Sequence, residues 1–476
     1  MLMPILSVPL SRLKYGVLGK LSAARQKIQY RNFRPDCGDD TVVTGIDDQV
    51  AYLTRLLDRG NMEMFLRRLS ELVRKLCWGP LRGRALFIPE LDELSRRASL
   101  IITPKPNPPT DSNLLVHIAT EVYLTGGHTR VMEDIVASLP EYRHVLILTG
   151  MREVHPSLVS LKPRFDELSL EVRLLRTSGW TNRASELSSL ITELCPQAIL
   201  LFAHQEDSIA NAGVARHSAP RILFLHHADH QPSLGAFRAD YTHVDLTPAC
   251  HNICASRSHL RALLLNLTVK DMGAVELPRQ HLMVGATCGS PGKYLGSSEF
   301  SYAQLLVALF AAGVGQILHI GDMPEEQKNQ IRSEITTNGQ HASRVIFLPN
   351  TPFLAGKLLE ISPDFYLVSH PLVGGKATVE ALSVGLPILH ACPASALALL
   401  AVDMTFGTSV MVSNLEQISA AVRRLEAEKT TLATRSREVY EKHYSPAAFR
   451  EGLLSALNAS PLACAAPAQA PPVVLR

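Results

Sequence analysis

Two rhythms of hydrophobic and polar positions divide the chain. Up to residue 102 the apolar side chains recur at three- and four-residue spacing, as in AYLTRLLDRG and MEMFLRRLSELVRKLCW, the period of helices that bury one face. TPKPNPPTD at 103–111 then places four prolines in nine residues, and fixed φ angles with missing N–H groups stop any helix or central strand there. Beyond it, short apolar runs alternate with helical stretches: LLVHIA at 114–119, HVLILT at 144–149, VRLLR at 172–176, AILLF at 198–202, RILFL at 221–225 and THVDLT at 242–247. Such runs suit strands buried on both faces of a parallel sheet, and VMEDIVASL, RASELSSLITEL and SIANAGVARH supply the crossover helices. The alternation restarts with HLMVGA at 281–286, ILHI at 317–320, RVIFLP at 344–349, DFYLVS at 364–369 and PILHA at 387–391. The expectation is an α/β chain with a helical region over 1–108, one doubly wound domain over 109–279, a second over 280–457, and a disordered Pro/Ala-rich tail over 458–476.

Composition narrows the classes of function. The chain has 476 residues, 46% of them hydrophobic and 19% charged, an ordinary globular balance. Its 47 Lys plus Arg face 44 Asp plus Glu, which leaves no polycation with which to grip nucleic acid. No apolar run has the roughly 18 residues of a membrane helix, and Pro4 and Pro9 precede the first basic residues, the reverse of a signal peptide. Eight scattered cysteines fit a reducing compartment, so a cytoplasmic location is expected. The basic stretch at 10–31 leaves residues 1–108 as a candidate surface for a membrane face or a protein partner.

The strongest chemical signal follows DFYLVS: His370, Pro371, Leu372, Val373, then Gly374-Gly375-Lys376-Ala377-Thr378-Val379-Glu380. A glycine pair lets a ligand approach the backbone, and the helix behind it offers free N–H groups to a diphosphate. Lys376 and Thr378 are candidate phosphate contacts, and Glu380 a candidate partner of a ribose diol. This segment, with Gly385-Leu386-Pro387 after it, resembles the donor-binding segment of GT-B glycosyltransferases. The closest likeness is to the inverting enzymes that glycosylate serine, threonine or asparagine of proteins, over roughly residues 112–457. The resemblance implies two Rossmann-like domains facing across a cleft, the second holding a nucleotide sugar, commonly a UDP-sugar, and the first the acceptor. Retaining GT-B enzymes commonly carry a second glutamate eight positions before the ribose-binding one. Leu372 stands there, which favours inversion by a single displacement with a general base.

Further candidates collect at strand ends. Gly285, Ser290 and Lys293 belong to a small-residue loop in which Lys293 can meet charge on the departing nucleotide, and His319 and His370 close neighbouring strands. In the first domain Gly126, Gly127 and His128 form a glycine-rich loop at a helix start, where an imidazole is held neutral as a base must be. The segment His226-His227-Ala228-Asp229-His230 resembles the His-Ala-Asp-His-like segment of protein-glycosylating members; it makes His227 or His230, oriented by Asp229, a second base candidate, with His204 beside them. Cys250 and Cys254 lack a second matching pair downstream, so they read as small buried residues, with no metal and no cofactor expected beyond the donor substrate. A protein or a glycan acceptor, lipid-linked or capsular, remains open, as do a sugar-nucleotide epimerase and an inactive scaffold that binds an active transferase.

Overall fold

The computed structural model of the chain describes residues 36–37, 42–78, 84–103, 113–124, 127–151, 157–228, 231–276, 282–294, 299–392 and 404–459. The basic stretch at 10–31 and most of the expected tail lie outside them. Two short strands, β1 (Asp36–Cys37) and β2 (Val43–Thr44), precede three helices, α1 (Asp47–Asp58), α2 (Met62–Trp78) and α3 (Pro89–Ile102). Pro89 sits in the first turn of α3, where its missing N–H has no intrahelical partner to lose.

The first sheet is built from β3 (Leu114–Ala119), α4 (Gly127–Ser138), β4 (Arg143–Leu148), α5 (Ser157–Glu167), β5 (Leu170–Leu174), α6 (Trp180–Leu194), β6 (Ala198–Phe202), α7 (Ser208–Gly213), β7 (Arg221–His226), β8 (Thr242–Asp245), α8 (Pro248–Ala255) and β9 (Arg261–Leu264). Its seven strands lie in the order β5-β4-β3-β6-β7-β8-β9, every neighbouring pair parallel. THVDLT does not complete this sheet: β9 adds an edge strand that its sequence RALL, without β-branched or aromatic residues, did not announce.

The helices before the prolines are part of this domain. Leu66, Leu69, Val73 and Leu91 share one core with Val116, Ile118, Val145, Ile199 and Leu201 of the sheet. Glu63 of α2 accepts the Trp180 and Thr181 backbone N–H groups at 2.7 and 3.0 Å, which satisfies two of the open donors at the start of α6. Asp92 of α3 likewise accepts the N–H groups of Gly235 and Phe237 at 2.6 and 2.7 Å. Over 47–102 most of the apolar side chains of these helices are thus spent on the first domain, while Leu100 and Ile101 at the end of α3 stay exposed.

The second domain comprises β10 (Met283–Cys288), α9 (Tyr302–Ala311), β11 (Val314–Ile320), α10 (Glu325–Thr337), β12 (Val345–Leu348), α11 (Leu354–Ile361), β13 (Phe365–Leu367), α12 (Gly375–Ser383), β14 (Ile388–Ala391), β15 (Val410–Val412) and α13 (Ile418–Ala427). Its sheet runs β12-β11-β10-β13-β14-β15, again parallel throughout. Two closing helices, α14 (Lys429–His443) and α15 (Pro446–Asn458), carry the chain back to the first domain. Tyr440, Phe449 and Leu453 join Leu115 and Val136 in one apolar cluster, and Arg450 pairs with Glu141 at 2.8 Å. Among the described residues no helix is long and apolar enough to cross a membrane.

In both sheets the strand order reverses once, between β3 and β6 and between β10 and β13. Chains leave the sheet in opposite directions at such a point, which opens a crevice at the carboxyl ends of the strands.

Candidate active site

At the reversal of the first sheet a buried network sets the strand ends. Thr120 and Thr149 both donate to Asp207 Oδ2, at 2.7 and 2.6 Å, while Asp207 Oδ1 caps α7 through the Ala210 N–H at 2.9 Å. The Thr120 hydroxyl in turn accepts the His204 backbone N–H at 2.8 Å. On this platform His128, His204 and His227 converge. The His128 ring centroid lies 4.8 Å from that of His227 and 5.6 Å from that of His204, and Tyr123 stacks on His204 at 5.7 Å. The Tyr123 hydroxyl donates to Glu121.

Carbonyl groups assign the tautomers of the two base candidates. His128 Nε2 is 2.6 Å from the Phe202 carbonyl oxygen, so Nε2 carries the proton and the lone pair falls on Nδ1, which is buried. His227 Nδ1 is 3.2 Å from the Leu225 oxygen, which leaves the lone pair on Nε2. Burial lowers the pKa of both rings below the ordinary value of 6.5, and for His227 the neighbouring His128 and His204 push it further down. Both are therefore neutral near pH 7. For His128 the cause is burial rather than the helix start that the sequence suggested.

On the opposite side, α12 begins at Gly375, with Gly374 as its cap and no side chain closing its first N–H groups. The chain after β10 runs alongside: Lys293 Nζ donates to the Val373 oxygen at 2.8 Å, just before α12. A Cβ on Gly374 would lie 3.2 Å from the Ser369 hydroxyl, so glycine here keeps the turn close to the sheet. Lys376, in the first turn of α12, reaches across to Asp134 of α4. That ion pair places the open N-terminus of α12 against the helix that carries His128. Asp134 lies six residues beyond His128, which is about 9 Å along the helix axis.

No family profile and no curated protein matches the chain. Solved structures do match. A glycosyltransferase of Rickettsia africae superposes with a TM-score of 0.54 at 10% identity, covering 73% of this chain and 98% of its own. The lipopolysaccharide outer core galactosyltransferase WaaB gives 0.53 at 12% identity, over 72% of this chain and 99% of its own. HepE of Anabaena, solved in complex with UDP, gives 0.53 at 14%, with the same coverage. The chain has the GT-B fold.

Within the GT-B frame the sequence candidates part into two groups. His128, His204, His227, Gly374, Gly375, Lys376 and Lys293 stand at the facing strand ends described above. Gly127 opens α4 in an exposed position, and Ser290 is exposed on the turn after β10. Gly126, Asp229 and His230 lie outside the described residues.

Gly285, His319 and His370 are corrected by their surroundings, and Thr378 and Glu380 already hold partners of their own. Gly285 is interior to β10, and a Cβ there would fall 2.4 Å from Phe365; it is a packing glycine and makes no room for a ligand. His319 is fully buried among Tyr294, Tyr302 and Phe347 and meets the Tyr302 hydroxyl at 3.0 Å, facing the core. His370 is also buried, its two ring nitrogens 3.2 and 3.0 Å from the carbonyl oxygens of Ala391 and Phe300. Thr378 spends its hydroxyl on the Gly374 oxygen at 3.1 Å, within its own helix. Glu380 accepts the Ala355 N–H at 2.8 Å and so caps α11, while burial raises its pKa. Glu121, Tyr123 and Asp134 were missed. The first two directly follow a strand, which was a usable signal, but Asp134 has meaning only through the contact between domains.

Proposed function

We propose that the protein is a glycosyltransferase that moves a sugar from a nucleotide-sugar donor, most simply a UDP-sugar, to an acceptor hydroxyl or amide with inversion. One observation carries this reading: the uncapped N-terminus of α12, with Lys376 and Lys293 beside it, faces the neutral pair His128 and His227 at the end of the first sheet. A helix N-terminus flanked by two lysines is suited to a diphosphate, and it stabilises negative charge on the leaving nucleotide without a metal ion. The UDP found in the HepE structure supports the choice of nucleotide.

In this reading His227 is the general base, since the lone pair on its Nε2 is left by the Leu225 contact, whereas the basic nitrogen of His128 is buried. His128 packs on His227 and orients it. His227 takes the acceptor proton as the acceptor oxygen or nitrogen attacks the anomeric carbon, and the bond to the diphosphate breaks toward α12. Leu372 in place of a second carboxylate agrees with a single displacement. Lys376 must leave Asp134 to meet a phosphate, so donor binding competes with the contact between domains.

Isothermal titration calorimetry with UDP, GDP, TDP and their common sugars tests the proposal. UDP and a UDP-sugar are expected to bind. Absence of binding by every one of these nucleotides would sink it.

A further inference from the structure

Behind the histidines of the cleft, the fold assembles a second constellation from three elements. The register of the first sheet pairs His226, the last residue of β7, with Asp245, the last residue of β8. His243 precedes Asp245 by two, so both side chains leave the same face of β8. Cys250 and Cys254 are four apart on α8, one turn above each other on one helix face. One ligand atom from each of His226, His243, Asp245 and Cys254 lies within 4.8 Å of all the others, and all four residues are buried.

The spacing is that of a coordination polyhedron. Tetrahedral zinc with bonds of about 2.0–2.3 Å sets its ligand atoms about 3.3–3.8 Å apart. His226 Nδ1 is 3.3 Å from Asp245 Oδ1 and 3.5 Å from Cys254 Sγ. Hydrogen bonds link His226 to Cys254 and Cys250 to Asp245, but they leave His243 out: among the described residues neither of its ring nitrogens has a partner, although the residue is 0% exposed. Buried polar groups are rarely left so. The donor set of imidazole, thiolate and carboxylate is that of a borderline cation, and one thiolate with one carboxylate balances a doubly charged ion.

We infer that His226, His243, Asp245 and Cys254 form a binding site for zinc. Four protein ligands in a buried, closed set make the site structural, with no open position for water or substrate. On loading, the Cys254 thiol gives its proton to solvent and the sulfur lone pair binds the metal, with no redox change. Cys250, 3.3 Å from His226 Nδ1, packs beside the site. The ion would tie β7, β8 and α8 together where β7 ends, and the next residue is His227 of the cleft. The absence of a second cysteine pair in the sequence is no obstacle, because the ligands come from three separate elements.

The test is the metal content of the full chain, purified without chelators, measured by inductively coupled plasma mass spectrometry. Zinc is expected in equimolar amount, falling at least tenfold in Cys254→Ser and in His243→Ala but unchanged in Cys195→Ser. Cobalt substitution of the unaltered chain needs no variant to fold: tetrahedral d–d bands and a thiolate-to-cobalt charge-transfer band are expected. A metal-free chain that takes up neither added zinc nor cobalt would overturn the site. Loss of the charge-transfer band in Cys250→Ser with its retention in Cys254→Ser would overturn the ligand assignment.

Discussion

His128 and His227 are the same side chain in adjacent places, and what separates them is which ring nitrogen a carbonyl holds. The Phe202 oxygen takes the Nε2 proton of one and the Leu225 oxygen the Nδ1 proton of the other. His227→Ala is expected to lower turnover about 10²- to 10⁴-fold, the usual worth of a general base, with nucleotide affinity unchanged by calorimetry. His128→Ala should cost less, because it loosens the base without removing it; a larger loss than for His227→Ala would reverse the assignment. The pH dependence follows from the direction of the shifts. A base works when neutral, and burial holds both rings below 6.5. As pH falls, kcat/KM should stay level through 6.5 and drop only beneath it, and a limb centred at or above 6.5 would exclude both rings as the base. None of this is visible in a string of residues: His319, at the end of β11, and His370, after β13, also stand at strand ends, yet their rings turn into the core.

At the scale of elements, α12 and the turn before it concentrate the chemistry. Lys376→Ala removes a charged contact worth about 1.5–3 kcal/mol to a phosphate, so UDP affinity should weaken about tenfold to a hundredfold. Asp134→Asn acts in the opposite sense: it frees Lys376 from its partner in α4 and should tighten UDP binding. A titration in which Asp134→Asn weakens binding would show that the ion pair does not compete with the donor. The strand β10 makes a contrasting case. Gly285→Ala places a Cβ 2.4 Å from Phe365 and 2.7 Å from Ile317, and overpacking of this kind destabilises by about 1–3 kcal/mol. Chemical denaturation should show that loss while UDP affinity persists; a selective loss of affinity would make Gly285 a ligand residue after all.

At the scale of the molecule, α15 joins the halves. Phe449 is fully buried in a cluster with residues of both sheets, and Phe449→Ala is expected to cost about 3–5 kcal/mol, read as a lower denaturant midpoint. Because α15 rests on the first domain through Phe449, Leu453 and the Arg450–Glu141 pair, the loss should fall on the mutual orientation of the sheets as well. Binding of UDP weakened beyond what the stability change explains would report that coupling. The helices over 47–102 belong to the same scale, since Glu63 and Asp92 complete backbone donors of the first domain.

The class of architecture is legible in the order of residues alone, since strands buried on both faces must be apolar throughout and their period differs from that of the crossover helices. The same order also locates the glycine-rich start of α12 and the histidines at the first strand ends, because ligand loops follow strands. Two of the four edge strands of the parallel sheets escaped it: β9 and β15 are short, and pairing rather than side-chain pattern makes them strands. Folding alone settles which histidines face the cleft, which carbonyl sets each tautomer, that Lys376 meets Asp134, and that His226, His243, Asp245 and Cys254 converge. Those are relations between residues far apart in the chain, fixed by strand register and by which face of each element is buried, and no local pattern encodes them.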